Sequence, residues 1–345
     1  GIQHFRTLLN RLQRNFEPLQ AAARELDRLL MAPVREMTGD ASHLLLSPDS
    51  SLNLLPFAAL VDEDGQYLVQ SYRLTYLTSG RDLLQRRYRE QAPQAPLVLA
   101  NPAYGSPGTR SQTVGDRNRG SSSGNNDNRR SGRLATLEFG PLPGTKVEGE
   151  ALANIVPDLT LLTETEASEN SLKSWQRPKI LHLATHGFFL EPEEPSNPSE
   201  PNINRENPLL RSGLALAGFN QRQSDGEDGV LTALEVTGLN LRGTRLVVLS
   251  ACETGLGDIT AGEGVYGLRR AFTLAGAESQ LMSLWEVSDD GTQELMVAYY
   301  RRLQNGEGRG EALRQVQLEM LQNPDRAHPF FWAAFIPAGD WSPLE

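Results

Sequence analysis

Apolar residues recur at helical spacing from the start of the chain. Phe5, Leu8, Leu9, Leu12, Phe16, Leu19, Leu26, Leu29 and Leu30 predict helix across residues 4–31. Short apolar runs follow at His43 to Ser47, Leu54 to Leu60 and Tyr67 to Leu77. Turn residues at Pro48-Asp49 and Asp64-Gly65 separate them, which predicts strands and a hairpin. Residues 81–90 read as a charged helix.

From residue 96 the pattern changes. Buried-type runs at Leu97 to Ala100, Leu159 to Leu162, Ile180 to Ala184, Leu246 to Ala251 and Ser279 to Trp285 predict strands. Helical patterns near 145–155, 168–175, 230–238, 263–276, 291–304 and 309–322 alternate with them or follow. Thr145 and Glu148 fit a capping box at one helix start. Apolar strands alternating with helices predict an α/β fold, a mainly parallel sheet covered on both faces. The expected division is 1–95, an N-terminal helix and small β-rich part, and 96–345, the larger α/β part. Two tracts interrupt the pattern. Residues 103–133, rich in Ser, Gly, Asn and Arg, predict a disordered, locally basic insertion that can be deleted. Residues 191–208, rich in Glu, Pro and Asn, predict a long loop.

Charge and cysteine usage narrow the function classes. The 345-residue chain carries a formal net charge of −10, which argues against nucleic acid as a direct partner. Cys252 is the single cysteine, so no internal disulfide forms, and a reducing cytoplasm is the expected compartment. No apolar run reaches the roughly 18 residues that cross a bilayer, so no membrane partner is expected. The chain opens at Gly1 inside a helical pattern, as a piece of a longer protein would.

Candidate chemistry sits at two strand ends. Lys179-Ile-Leu-His-Leu-Ala-Thr-His186-Gly187 and Arg245-Leu-Val-Val-Leu-Ser-Ala-Cys252-Glu-Thr-Gly255 each finish an apolar run in a reactive residue. Functional groups collect at the carboxyl ends of strands in open α/β sheets. Neighbouring strands stand about 4.8 Å apart, which would bring the imidazole and the thiol together. A nearby imidazole activates a thiol and later protonates a leaving amine. The backbone N–H groups of Cys252 and Gly187 are candidate oxyanion donors. The plainer alternative is a buried Cys252 and a His186 that merely belongs to a turn.

Other features compete. His182 and His186 are four residues apart, but on a strand that spans roughly 13 Å, too far to share one metal ion. His182 reads as a buried structural histidine, and neither metal nor other cofactor is expected. Gly262-Glu-Gly264-Val-Tyr-Gly267 matches a dinucleotide fingerprint, but ten residues intervene after Ala251, so a glycine-rich helix start is the expectation. Asp289 and Asp290 follow Ser288, a candidate helix cap, and read equally as helix-start acids or as an acidic substrate pocket.

Seven ordered stretches carry a resemblance: LLLSPDSSLNLLPFAAL at 44–60, LPGTKVEGEAL at 142–152, LHLATHG at 181–187, VVLSACETGLG at 247–257, GEGVYGLRRAFTLAGA at 262–277, SLWEVSD at 283–289 and HPFFWAAFIPAGDW at 328–341. They resemble the CHAT family, caspase-like domains found beside tetratricopeptide repeats. The resemblance implies a cysteine peptidase of the caspase and separase clan acting on protein or peptide substrate. His186 would be the general base, Cys252 the nucleophile, and the N–H groups of Gly187 and Cys252 the oxyanion hole. The WEVSD stretch resembles the separase segment holding an acid for a basic P1 side chain, which points to Asp289, with Asp290 and Glu253 as alternatives. Self-cleavage at the arginines of 103–133 and tetratricopeptide repeats ahead of Gly1 follow as expectations. A non-catalytic caspase-fold scaffold is the alternative from another class.

Overall fold

The computed structural model describes residues 1–12, 15–85, 94–105, 134, 136–190, 207–253, 261–285 and 288–344, with backbone alone at 85, 208, 251–253, 261–265 and 289. The described strands are β1 His43–Leu46, β2 Arg73–Tyr76, β3 Leu97–Pro102, β4 Thr160–Glu164, β5 Ile180–Phe189, β6 Ser212–Ala215, β7 Val230–Thr232, β8 Leu246–Glu253, β9 Ser279–Ser283 and β10 Phe335–Gly339. They form one mostly parallel sheet in the order β1-β2-β10-β9-β8-β5-β3-β4. β10 runs antiparallel to β9, and β6 and β7 form an antiparallel extension from the end of β5. The expected α/β arrangement of a mainly parallel sheet flanked by helices is what the chain forms.

The central strands are apolar along almost their whole length because both faces are covered. In β5 only Phe189 escapes full burial. His182, Val248 and Leu281 form one rung across β5, β8 and β9, and Leu181, Val247 and Gln280 form the rung before it. Alternate residues face opposite sides. Helices Pro143–Ala153 and Asp289–Gln304 cover the His182 side. Glu148 of the first stands 3.1 Å from His182 Nε2, and the Tyr300 hydroxyl of the second lies 3.0 Å from His182 Nδ1. Helix Ala261–Ala275 covers the opposite side, where Gln280 donates to the Arg269 carbonyl at 2.9 Å. A smaller apolar cluster of Tyr104, Leu134, Phe139, Phe188, Ala215, Phe219 and Val230 fills the space beside β5, β6 and β7.

Several local expectations change. Residues 54–60 form no strand. Short 3-10 turns occupy Ser50–Leu54 and Phe57–Ala59, and the Phe57 N–H donates to the Tyr76 hydroxyl at 3.1 Å. Pro56 lacks an N–H for a ladder. Residues 68–71 are helical, and β1 pairs with β2 in parallel, so the expected hairpin shrinks to the bridge between Val61 and Tyr67. Thr145 and Glu148 do not make a capping box. The Thr145 hydroxyl donates to the Leu142 carbonyl and accepts from the Asn101 N–H of β3, while Glu148 is buried against the sheet. Residues 230–232 are strand, and the helix there is confined to Ala233–Val236. Of the tract 103–133, Ala103 to Gly105 are ordered and Tyr104 is buried, because its ring joins the second apolar cluster. Residues 106–133, 191–206 and 86–93 lie outside the described residues. His182 is the buried structural histidine expected. Among the described residues no helix is long and apolar enough to cross a membrane.

Two outcomes follow. His182→Ala removes the partner of a buried carboxylate and of a buried phenol, and should cost about 3 kcal/mol or more of unfolding free energy by denaturant titration. Glu169 supplies a pH signature. Burial pushes its carboxyl up from 4.5 to about 7, outweighing the bond to Lys173. The folded value exceeds the unfolded one, so this group's contribution is full below about 4.5 and is lost as pH rises through about 7. Glu169→Gln should flatten that fall in stability, read as the denaturant midpoint against pH.

Candidate active site

β5 and β8 run side by side in unbroken register from Ile180 opposite Leu246 to Gly187 opposite Glu253. His186 therefore stands directly opposite Cys252, at the carboxyl ends of two adjacent central strands. Opposite residues of a parallel ladder share a sheet face and lie about 4.8 Å apart in the pairing direction. This face also holds Ser250 and His182, one and two positions in from the edge along alternate residues.

The imidazole of His186 is almost fully buried, with 9% exposure. Its Nε2 lies 3.0 Å from the Gly140 carbonyl. A carbonyl can only accept, so Nε2 carries the proton, and the lone pair of the neutral ring belongs to Nδ1. The ring is stacked on Phe139, centroids 4.7 Å apart with planes 16° from parallel, and tilted against Tyr104 at 5.3 Å. The Tyr104 hydroxyl accepts from the His186 backbone N–H at 3.4 Å and lies 2.8 Å from Thr185 Oγ1. Thr185 spends its single hydroxyl proton on the Ala215 carbonyl, so Tyr104 is the donor to Thr185. A directed chain thus runs from His186 through Tyr104 and Thr185 to β6.

The approach to helix Pro143–Ala153 holds the Gly140 carbonyl in place. That helix is anchored to three strands. Thr145 accepts from Asn101 of β3 at 2.9 Å, Glu148 faces His182 of β5, and Ser250 of β8 donates to Glu148 Oε2 at 3.3 Å. Burial, with Tyr299 and Glu148 adding to it, raises the Tyr300 phenol well above its ordinary value, so it stays neutral beside His182 Nδ1.

The remaining sequence candidates divide. Gly187 sits in the ladder between Leu214 of β6 and Glu253 of β8. Asp289 opens helix Asp289–Gln304 behind the Ser288 cap, whose hydroxyl accepts from the Gly291 N–H at 3.4 Å. The strand before it, β9, is the parallel neighbour of β8. Asp290 is exposed in the same helical turn. Glu253 ends β8 opposite Gly187. The glycine run 262–267 lies in the first turns of helix Ala261–Ala275. Among the described residues no group of three or more His, Cys, Asp or Glu is arranged to hold a metal ion. Sequence reading missed Tyr104, Phe139 and Gly140. The one available signal was a Phe-Gly pair three residues ahead of Pro143, at the edge of the LPG stretch.

A family model described as the CHAT domain matches residues 20–340. Tetratricopeptide repeat protein 28 of Homo sapiens is 26% identical over 346 residues, covering 92% of this chain and 13% of that protein. Its Mus musculus counterpart is 25% identical over 348 residues with the same coverage. The chain thus spans only 13% of the length of the curated relatives it matches. Among solved structures, separase of Saccharomyces cerevisiae in its complex with securin aligns with a TM-score of 0.46 at 15% identity, over 86% of this chain and 16% of that one. The Arg-specific cysteine proteinase gingipain R aligns with a TM-score of 0.47 at 11% identity, over 94% of this chain and 68% of that one.

Tyr104→Phe deletes the hydroxyl between His186 and Thr185 and leaves a buried N–H without its acceptor. It should lower unfolding free energy by about 1–3 kcal/mol, measured by denaturant titration.

Proposed function

The chain belongs to the CHAT domain family, and from that premise we propose that it is a cysteine endopeptidase with Cys252 as nucleophile and His186 as base. The observation that carries this reading is the ladder pairing of His186 with Cys252. The bond from His186 Nε2 to Gly140 supports it, because it assigns the ring's lone pair to Nδ1.

The chemistry then runs in two stages. Nδ1 takes the thiol proton, and the Cys252 sulfur attacks the carbonyl carbon of the scissile amide. The N–H groups of Cys252 and Gly187 donate to the oxyanion, the latter by turning out of its ladder. The imidazolium returns its proton to the leaving amine as the C–N bond breaks, leaving a thioester. Water, deprotonated by the same nitrogen, hydrolyses the thioester and frees Cys252. Tyr104 and Phe139 hold the ring while this proton moves.

Specificity for Arg or Lys at P1 is assigned to Asp289, at the start of a helix that follows the neighbour of β8. A carboxylate there accepts a bidentate bond from guanidinium, which Lys matches less well. Asp290 and Glu253 are the alternative acids. Arg110, Arg117, Arg119, Arg129, Arg130 and Arg133 then offer basic sites for slow self-cleavage. Both curated relatives are tetratricopeptide repeat proteins, so repeats in the longer protein are the proposed partners, in the cytoplasm.

Cys252→Ala and His186→Ala should each reduce cleavage of an Arg-P1 peptide by at least about a thousandfold, the His186 variant also losing stability because its buried ring packs on Phe139. Asp289→Ala should lose the Arg-P1 substrate and keep a neutral-P1 one. Full cleavage without Cys252 overturns the dyad, an unchanged Arg preference overturns the Asp289 assignment, and a folded chain with no turnover favours a scaffold.

A further inference from the structure

The two segments that wall His186 are far apart in sequence. Tyr104-Gly105 leaves β3, and Phe139-Gly140 leads into helix Pro143–Ala153. One side chain grips both. Asn220 Oδ1 accepts from the Phe139 N–H at 2.9 Å, and Asn220 Nδ2 donates to the carbonyls of Phe139 and Gly105, each at 2.9 Å. Its own backbone N–H donates to the Tyr104 carbonyl at 2.8 Å. Both amide protons and one oxygen acceptor site are thus used on the backbone around the imidazole.

The turn that presents Asn220 is rigid. Gly218 has φ +79°, and a Cβ there would meet the Gln223 carbonyl oxygen at 2.1 Å, so only glycine fits. Its N–H is tied to the Ala103 carbonyl at 2.9 Å. Phe219 packs between Phe139 and Phe188. Arg222 lies over the Phe219 ring and donates to the carbonyls of Phe219 and Leu134.

We propose that Asn220 is a positioning residue for the dyad, fixing the Phe139-Gly140 segment so that the Gly140 carbonyl holds the proton of His186 on Nε2. Its catalytic consequence rests on reading His186 as the base that faces Cys252. The side-chain requirement is narrow. Aspartate has the same shape but no donor for two carbonyls, serine has one donor, and glutamine is a methylene too long. When the clamp is lost, the Gly140 carbonyl no longer selects the tautomer. The proton then populates Nδ1, the nitrogen that has to be bare to take a proton from the thiol.

The test reads the imidazole directly, with no need for turnover. The 345-residue chain is labelled with 15N at its histidine rings, and His186 is assigned by substitution. In the unsubstituted protein near neutral pH, Nε2 should show a protonated-type shift and Nδ1 an unprotonated-type shift. In Asn220→Asp the two shifts should converge toward averaged values. Arg222→Ala, which weakens the same turn without touching Phe139, is the stability control and should leave the His186 shifts in place. Wild-type shifts in Asn220→Asp overturn the proposal, as does an equal change in Arg222→Ala. Should Asn220→Asp not fold, Asn220→Ser is read by the same criterion. In peptide assays the Asn220 variant should lose roughly a hundredfold in kcat with KM nearly unchanged, as a small misplacement of a reacting group does. If the unsubstituted chain cleaves no peptide, the peptidase reading fails while the tautomer result still decides whether Asn220 sets the ring.

Discussion

A single buried carboxylate ties this molecule together. Glu148, from a helix on one face of the sheet, reaches His182 of β5 with one oxygen and Ser250 of β8 with the other. Bridging both strands, it favours the register that sets His186 opposite Cys252. A carboxylate buried without partners is costly, so any slip of helix or strand that separates these groups is opposed. Tyr300 completes the arrangement from a second helix, its phenol kept neutral by burial.

The outer edge of the site inherits that order. The Glu148 helix is also pinned through Thr145 to β3, so the segment entering it, Phe139-Gly140, arrives at a fixed height over β5. There it meets His186 with a ring and a carbonyl. Tyr104, leaving β3, closes the other side and connects the His186 backbone to β6 through Thr185. Three elements that are remote in sequence therefore define one imidazole by stacking, one carbonyl and one phenol, and Tyr104 and Phe139 belong at the same time to the small second core.

The strand ends were legible because buried parallel strands read as mainly apolar runs, and β5 and β8 do so with only His182, Thr185 and Ser250 interrupting before the residues that matter. His182 was legible as core for the same reason. The wall was not. Asn220 meets Phe139 from 81 positions away and Gly105 from 115, in turns where no periodicity exists. Tyr104 lies at the edge of a Ser, Gly and Asn tract whose composition hid it. Thr145 and Glu148 fitted a local capping rule, but each found a tertiary partner instead, on β3 and on β5 and β8. The apolar run 54–60 imitated a strand, yet Pro56 and the Tyr76 hydroxyl turn it into 3-10 structure, and β1 pairs with β2 in parallel across the intervening segment.

The central claim is that His186 activates Cys252. It is tested most directly by treating the chain with a peptidyl electrophile ending in arginine and following the intact mass. The account predicts one adduct, located to Cys252, forming fast in the unsubstituted protein and at least about a hundredfold more slowly in His186→Ala, the share of a general base. An adduct elsewhere, or equal rates with and without the His186 imidazole, would contradict it.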